Sequence, residues 1–229
     1  MKESLITLLL MFAFFETASG QVTHNRSAVK CMEDSPERRG EEGCTILASR
    51  PLSGALPGAV YWHIDRFRSL EDAKKAAGPN GVATEAHGSV WLLTVEGKTN
   101  NHHTGTHVAL IGPLTLPAAE SYMMRVQSSL LKKGASTPIH THSGPEVFYI
   151  VSGEQCLETQ KAGHLLKAGK FFVLATDQIH RGRVQSAQMR GALALVIHNG
   201  KQPASHDLKD SDSPPLMACR TRADVSALD

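Results

Sequence analysis

Turn residues recur at short intervals through the second half of the chain: Lys132-Lys133-Gly134, Ser143-Gly144-Pro145, Ser152-Gly153 and Ala168-Gly169. The runs between and around them, at 122–132, 138–142, 146–151, 154–159, 171–175, 181–185 and 190–197, are mostly short and rich in β-branched, aromatic and aliphatic residues. Helices of globular domains average more than ten residues, so this punctuation predicts an all-β sandwich or barrel. Upstream, Ala59 to Ile64 reads as a strand, and Val82 to Glu85 pairs with Ser89 to Glu96 around Ala86-His87-Gly88. Thr106 to Ile111 is a further strand, closed by Gly112-Pro113. One short helix is signalled near 69–78. Ser69 caps it, Glu71 and Asp72 sit in its first turn, and Gly78-Pro79 stop it.

The organisation expected is a leader over 1–20, an irregular arm over 21–57, a β-rich N-terminal extension over 58–119 packed on a barrel over 120–199, and an irregular tail over 200–229. The leader rests on Lys2, an eleven-residue apolar run from Leu5 to Phe15, and small residues at Ala18 and Gly20. That run is too short to span a bilayer, which takes about 20 residues per helix. Cleavage after Gly20 would start the mature protein at Gln21 and place it in the periplasm or outside the cell, with no membrane segment. An oxidising compartment permits disulfides among Cys31, Cys44, Cys156 and Cys219, and their three connectivities stay open. Asn25-Arg26-Ser27 is a glycosylation sequon.

Charge excludes some functions. With 24 basic and 22 acidic side chains the net charge is +2, too little for a nucleic-acid binder that relies on bulk positive charge. Aromatic residues are 5%, which argues against a stacking platform for bases. Histidine stands out, with 12 residues against 3 Tyr and 2 Trp. His140 and His142 are two apart, so on a strand they share a face. A turn at Ser143-Gly144-Pro145 can bring Glu146, which opens the next strand, beside them. Two imidazoles and a carboxylate suit a first-row divalent metal, and another ligand is expected from a different strand. Glu146, Phe148 and Ile150 then point inward and Val147 and Tyr149 outward. Phe148 and Ile150 would line a partly apolar pocket, with Gln155 as a polar neighbour. Tyr122, Arg125 and Gln127 lie on the preceding strand without a parity that sequence can assign. His102, His103 and His107 surround a polar loop with no carboxylate beside them in sequence and are not read as a second metal site. His63 and His87 read as structural, and Trp62 and Trp91 as core.

The segment Gly134-x5-His140-x-His142-x3-Glu146-x6-Gly153 resembles the first motif of the cupin superfamily at every fixed position. Gly169 to Val184 resembles the second motif, with Gly169 and His180 in place and with Ala175, Asp177 and Val184 where that pattern has Pro, Gly and Asn. Asp177 tolerates the left-handed backbone that the missing glycine would supply. The resemblance covers about residues 120–199, and more loosely the chain looks like exported bacterial single-cupin proteins with an N-terminal extension. It implies a jelly-roll barrel and one divalent transition metal (Fe, Mn, Ni, Cu or Zn) held by His140, His142, Glu146 and His180, with coordination positions left for substrate. A homodimer is the expected assembly. It also implies a small-molecule substrate or ligand. The favoured activity is dioxygenase-like, with a metal-dependent isomerase or hydrolase, or a non-catalytic binding protein that uses the metal as an anchor, as alternatives.

Overall fold

The computed structural model describes residues 28–33, 41–56, 58–99 and 104–219. The leader, the sequon, His102 and His103 lie outside these residues. The described chain forms fifteen strands, one α-helix and a short 3-10 helix at Asp210–Asp212. The strands are β1 (Cys31–Glu33), β2 (Gly43–Pro51), β3 (Val60–Phe67), β4 (Gly81–Ala86), β5 (Ser89–Glu96), β6 (Thr106–Leu114), β7 (Tyr122–Leu131), β8 (His140–His142), β9 (Glu146–Ser152), β10 (Glu154–Thr159), β11 (Gly163–Lys167), β12 (Phe171–Leu174), β13 (His180–Val184), β14 (Arg190–Asn199) and β15 (Ser205–Asp207). The helix, α1, spans Leu70–Ala76, and the Ser69 hydroxyl accepts a hydrogen bond from the Asp72 N–H at 3.1 Å.

Three sheets stack. A six-stranded sheet runs β1-β2-β7-β14-β9-β12, a five-stranded sheet runs β11-β10-β13-β8-β15, and a four-stranded sheet runs β4-β5-β3-β6. The six- and five-stranded sheets are the two walls of a jelly roll. Between them pack Phe148, Ile150, Leu157, Leu166, Leu174, Ala192 and Ala194. The other face of the six-stranded sheet carries Val147, Tyr149, Leu193, Leu195 and Ile197, which pack on Trp62, Ile64, Trp91 and Leu93 of the four-stranded sheet. The expected parity of β9 is therefore observed, and its outward residues face a second core rather than solvent. This explains the near-continuous apolar run of β14, where every residue from Arg190 to His198 is buried. A strand covered on both faces has no reason to alternate. Trp62 and Trp91 are fully buried, as expected of core residues, and Trp91 donates its indole N–H to the Ala86 carbonyl at 2.8 Å. On the far side of the four-stranded sheet, α1 buries Ala73 against Phe67 and Leu92.

Strands from outside 120–199 complete these sheets. Residues 21–57, expected as an irregular arm, contribute β2, which pairs antiparallel with β7 and parallel with β1. Ile46 is the buried anchor of β2, and hydrogen bonding to β7 compensates for its weak alternation. The tail expected to be irregular supplies β15, paired with β8, and a bridge from Met217 to Thr159. β11, with exposed Leu165 beside buried Leu166, carries too little apolar signal to be seen in sequence. The disulfides are Cys31–Cys44 and Cys156–Cys219. The first ties β1 to β2, and the second ties the tail to β10. Among the described residues no helix is long and apolar enough to cross a membrane.

Candidate metal centre

His140 and His142 reach the same face because they stand two apart on β8, and β13 pairs with β8 so that His180 lies opposite His140. The turn after His142 is tight: a Cβ on Gly144 would fall 1.8 Å from the Ile197 carbonyl oxygen. That packing against β14 sets where β9 begins, and hence where Glu146 stands. Gly134 and Gly153, the outer glycines of the first motif, have φ of 78° and 70°, a conformation that costs other residues strain. In the second motif Asp177 has φ 58°, as the replacement of glycine by aspartate requires.

His140, His142, Glu146 and His180 are all buried, and one ligand atom from each lies within 4.8 Å of the others. Each histidine places Nδ1 on a backbone carbonyl: His140 on Pro138 at 2.9 Å, His142 on Ala204 at 2.8 Å and His180 on Gln178 at 2.9 Å. A carbonyl only accepts, so Nδ1 carries the proton and Nε2 presents its lone pair to the cluster. Glu146 Oε2 lies 3.1 Å from His142 Nε2 and 3.0 Å from His180 Nε2. All three atoms are buried without a hydrogen bond of good geometry. Acceptors facing acceptors in a buried site repel unless a cation stands between them. A proton or a metal ion meets that need, and the donor set of imidazole nitrogen and carboxylate oxygen fits a divalent transition metal.

The electrostatics agree. Burial first, then the neighbouring His180, lowers the His140 imidazole to about 4. Burial opposes ionisation of Glu146, but His142 and His180 overcome it and hold its carboxyl well below the usual range. Burial also works against a charged His142, and Glu146 outweighs it, so this imidazole is raised.

A cavity of about 140 Å³ opens on the cluster, lined by His140, His142 and Glu146. Phe148 lines it. Ile150 and Gln155, expected in the pocket, do not line this cavity. Ile150 is fully buried in the apolar layer with Leu157 and Leu174. Gln155 is fully buried against Gly182. β7 turns Arg125, Gln127, Ser129 and Leu131 to the cavity, which settles the parity that sequence left open. Tyr122 instead donates its hydroxyl to the Pro117 carbonyl at 2.6 Å. Sequence reasoning missed Arg190, Lys30, Ser205 and Asp207 in the lining. A signal existed for Arg190, the single charged residue in the apolar run 190–197. The other three come from segments with no recognisable pattern.

His107, expected to lack a carboxylate partner, has one: its Nδ1 lies 3.0 Å from Asp65 Oδ1 because β3 pairs with β6 at that position.

A jelly roll with a buried three-histidine, one-carboxylate cluster facing an internal cavity is the class that fold and site define. Residues 128–198 match the family described as Cupin domain, and this part of the chain is a cupin domain. No curated protein matches the chain. Similar solved structures include an oxalate oxidase in complex with the substrate analogue glycolate, at 15% identity and a TM-score of 0.32, over 41% of this chain and 52% of that one. A Cupin 2 conserved barrel domain protein from Salinispora arenicola CNS-205 shows 17% identity and a TM-score of 0.32, over 34% of this chain and 65% of that one. A cupin-like protein from Thermotoga maritima shows 14% identity and a TM-score of 0.32, over 40% of this chain and 69% of that one. The chain thus spans about half the length of the oxalate oxidase.

Proposed function

We propose that this chain is a metal-dependent enzyme acting on a small organic substrate, with dioxygenase-like chemistry. The observation that carries the reading is the convergence of three oriented Nε2 atoms and the Glu146 carboxylate on one wall of an internal cavity. His140, His142, Glu146 and His180 would hold the ion, which when bound supplies Lewis-acid chemistry or, if redox-active, electron transfer. The protein does the rest. The three backbone carbonyls orient the imidazoles, and Phe148 with Ala194 excludes water from one side of the cavity. Arg125 and Gln127 offer hydrogen bonds to a bound molecule. We also propose that the protein is exported, with its leader removed near Gly20 and a homodimer as its working form. The two disulfides support formation in an oxidising compartment.

The test is elemental analysis of the full oxidised chain, wild type against a His140→Ala/His142→Ala double variant, followed by oxygen uptake with a panel of small organic acids. The expected result is about one Fe, Mn, Ni or Cu per wild-type chain, its loss in the variant, and metal-dependent oxygen consumption. Zinc alone, with no oxygen uptake, would redirect the reading to hydrolysis or isomerisation. A wild-type protein that takes up none of these metals on reconstitution would overturn it.

A further inference from the structure

The cavity wall away from the cluster holds a group that the metal reading does not use. Arg190 opens β14, is 1% exposed and lines the cavity. Its Nη1 donates to Ser129 Oγ at 2.5 Å, while its Nε is buried without a partner. No carboxylate pairs with it among the described residues. Burial alone lowers its guanidinium, to about 10, so it remains charged at neutral pH. A buried cation without a counter-ion is costly, and an ordinary structural arginine at this depth has a carboxylate partner. Arg125 lines the same cavity. Its Nε is also buried without a hydrogen-bond partner, and among the described residues no carboxylate forms an ion pair with it, although Glu33 and Glu146 act on it through space. The remaining acids of the lining are committed: Glu146 to the cluster and Asp207 to Lys30 at the mouth.

The two arginines stand at different depths. Arg125 pairs across to Val196, which in turn pairs with Glu146, so Arg125 lies level with the cluster. Ser129, the partner of the Arg190 guanidinium, lies four residues further along β7. At roughly 3.3 Å per residue that is about 13 Å of strand.

We infer that the cavity takes a small organic anion whose acid group is received by Arg190, at the end of the molecule remote from the metal cluster. Arg125 faces the end that lies beside the cluster. The inference deepens the proposed function and rests on its placement of the reacting end. It names a carboxylate-bearing substrate class and states that the carboxylate is not itself a metal ligand. Guanidinium and carboxylate form two parallel charge-assisted hydrogen bonds, which suits the unpartnered donors of Arg190.

The test uses the full oxidised chain in metal-free and metal-loaded forms. Each is titrated calorimetrically with butyrate, hexanoate, octanoate and 3-phenylpropanoate, and with the corresponding neutral amides. At least one carboxylate should bind about tenfold or more tightly than its amide, in both forms, because the anchor is remote from the ion. Arg190→Met should abolish that preference while leaving metal content unchanged. It should also leave the unliganded protein as stable as before or more so, since an unpaired buried charge has gone. Arg190→Lys should retain part of the preference. Binding of the carboxylates and amides with equal affinity, binding to Arg190→Met as to wild type, or no binding of any carboxylate would overturn the inference. Failure of the metal reading would show separately, as absent metal in the elemental analysis with Arg190-dependent binding intact.

Discussion

The jelly roll holds His140, His142, His180 and Glu146, and the four-stranded sheet holds His63, His107, Asp65 and Glu96, nearly the same inventory on the same kind of strand. In the jelly roll His140, His142 and His180 each give Nδ1 to a backbone carbonyl, and the three Nε2 atoms meet. In the four-stranded sheet His63 places its Nε2 on the Gly97 carbonyl at 2.7 Å, and His107 places its Nδ1 on Asp65. The rings stand 6.4 Å apart, and the His107 side chain is 56% exposed. Among the described residues only the first group brings three or more ligand atoms within reach of one ion. Residue types on adjacent strands do not make a ligand set. What makes one is which nitrogen the backbone takes and where the other is left pointing.

The contrast can be broken most directly through metal content. Replacing His180 by Gln should lower bound metal more than about tenfold, since even residues supporting a ligand are worth 10–100-fold. Replacing His63 by Gln should leave it unchanged. Loss of metal in both variants, measured by elemental analysis, would mean that the four-stranded sheet takes part.

A second effect lies within the jelly roll, which holds both covalent ties, whereas the four-stranded sheet holds neither. Cys156–Cys219 closes 63 residues across the jelly roll, and Cys31–Cys44 closes 13 at its edge. Chain entropy assigns about 4 kcal/mol to the longer loop and about 3 kcal/mol to the shorter. Urea denaturation of the Cys156→Ser/Cys219→Ser protein should therefore show the larger loss of the two pairs.

The smallest effect lies where the two regions join. His87, in the turn between β4 and β5, sets its Nε2 3.0 Å from Ser128 Oγ and 3.2 Å from the Ala192 carbonyl of the jelly roll. Burial lowers its pKa, so the unfolded chain takes up a proton near the ordinary value of 6.5 before the folded one does. The stability this neutral imidazole contributes is present above 6.5 and declines as pH falls below it. Melting temperatures of wild type should fall on acidification through that range, and His87→Gln should show a shallower fall.

Much of this was legible in the residues. The spacing of His140, His142 and Glu146 reports the cluster directly, because a two-residue period and a short turn leave few ways to place them. His180 was legible despite Ala175 and Val184, since the backbone at Asp177 could still adopt its turn. The cysteine pairing was not, because it depends on the tail returning to β10 and on β1 lying beside β2, contacts that no local pattern encodes. The cavity lining was half legible. Phe148 followed from the parity of β9, whereas β7 is covered on both sides and its alternation does not say which face is which. Ile150 has the right parity but lies too deep in the apolar layer, and Gln155 sits on the opposing sheet against Gly182.

The carbonyl that orients His142 belongs to Ala204, and the residue against which Gly144 is wedged is Ile197. Both follow His140 and His142 by more than fifty positions in the chain. During synthesis from the N-terminus, His140, His142 and Glu146 are therefore made well before the parts that aim them. The centre closes only when β14 and β15 are laid down, so any ion the cluster takes is taken late in the birth of the molecule, on completion of the last strands.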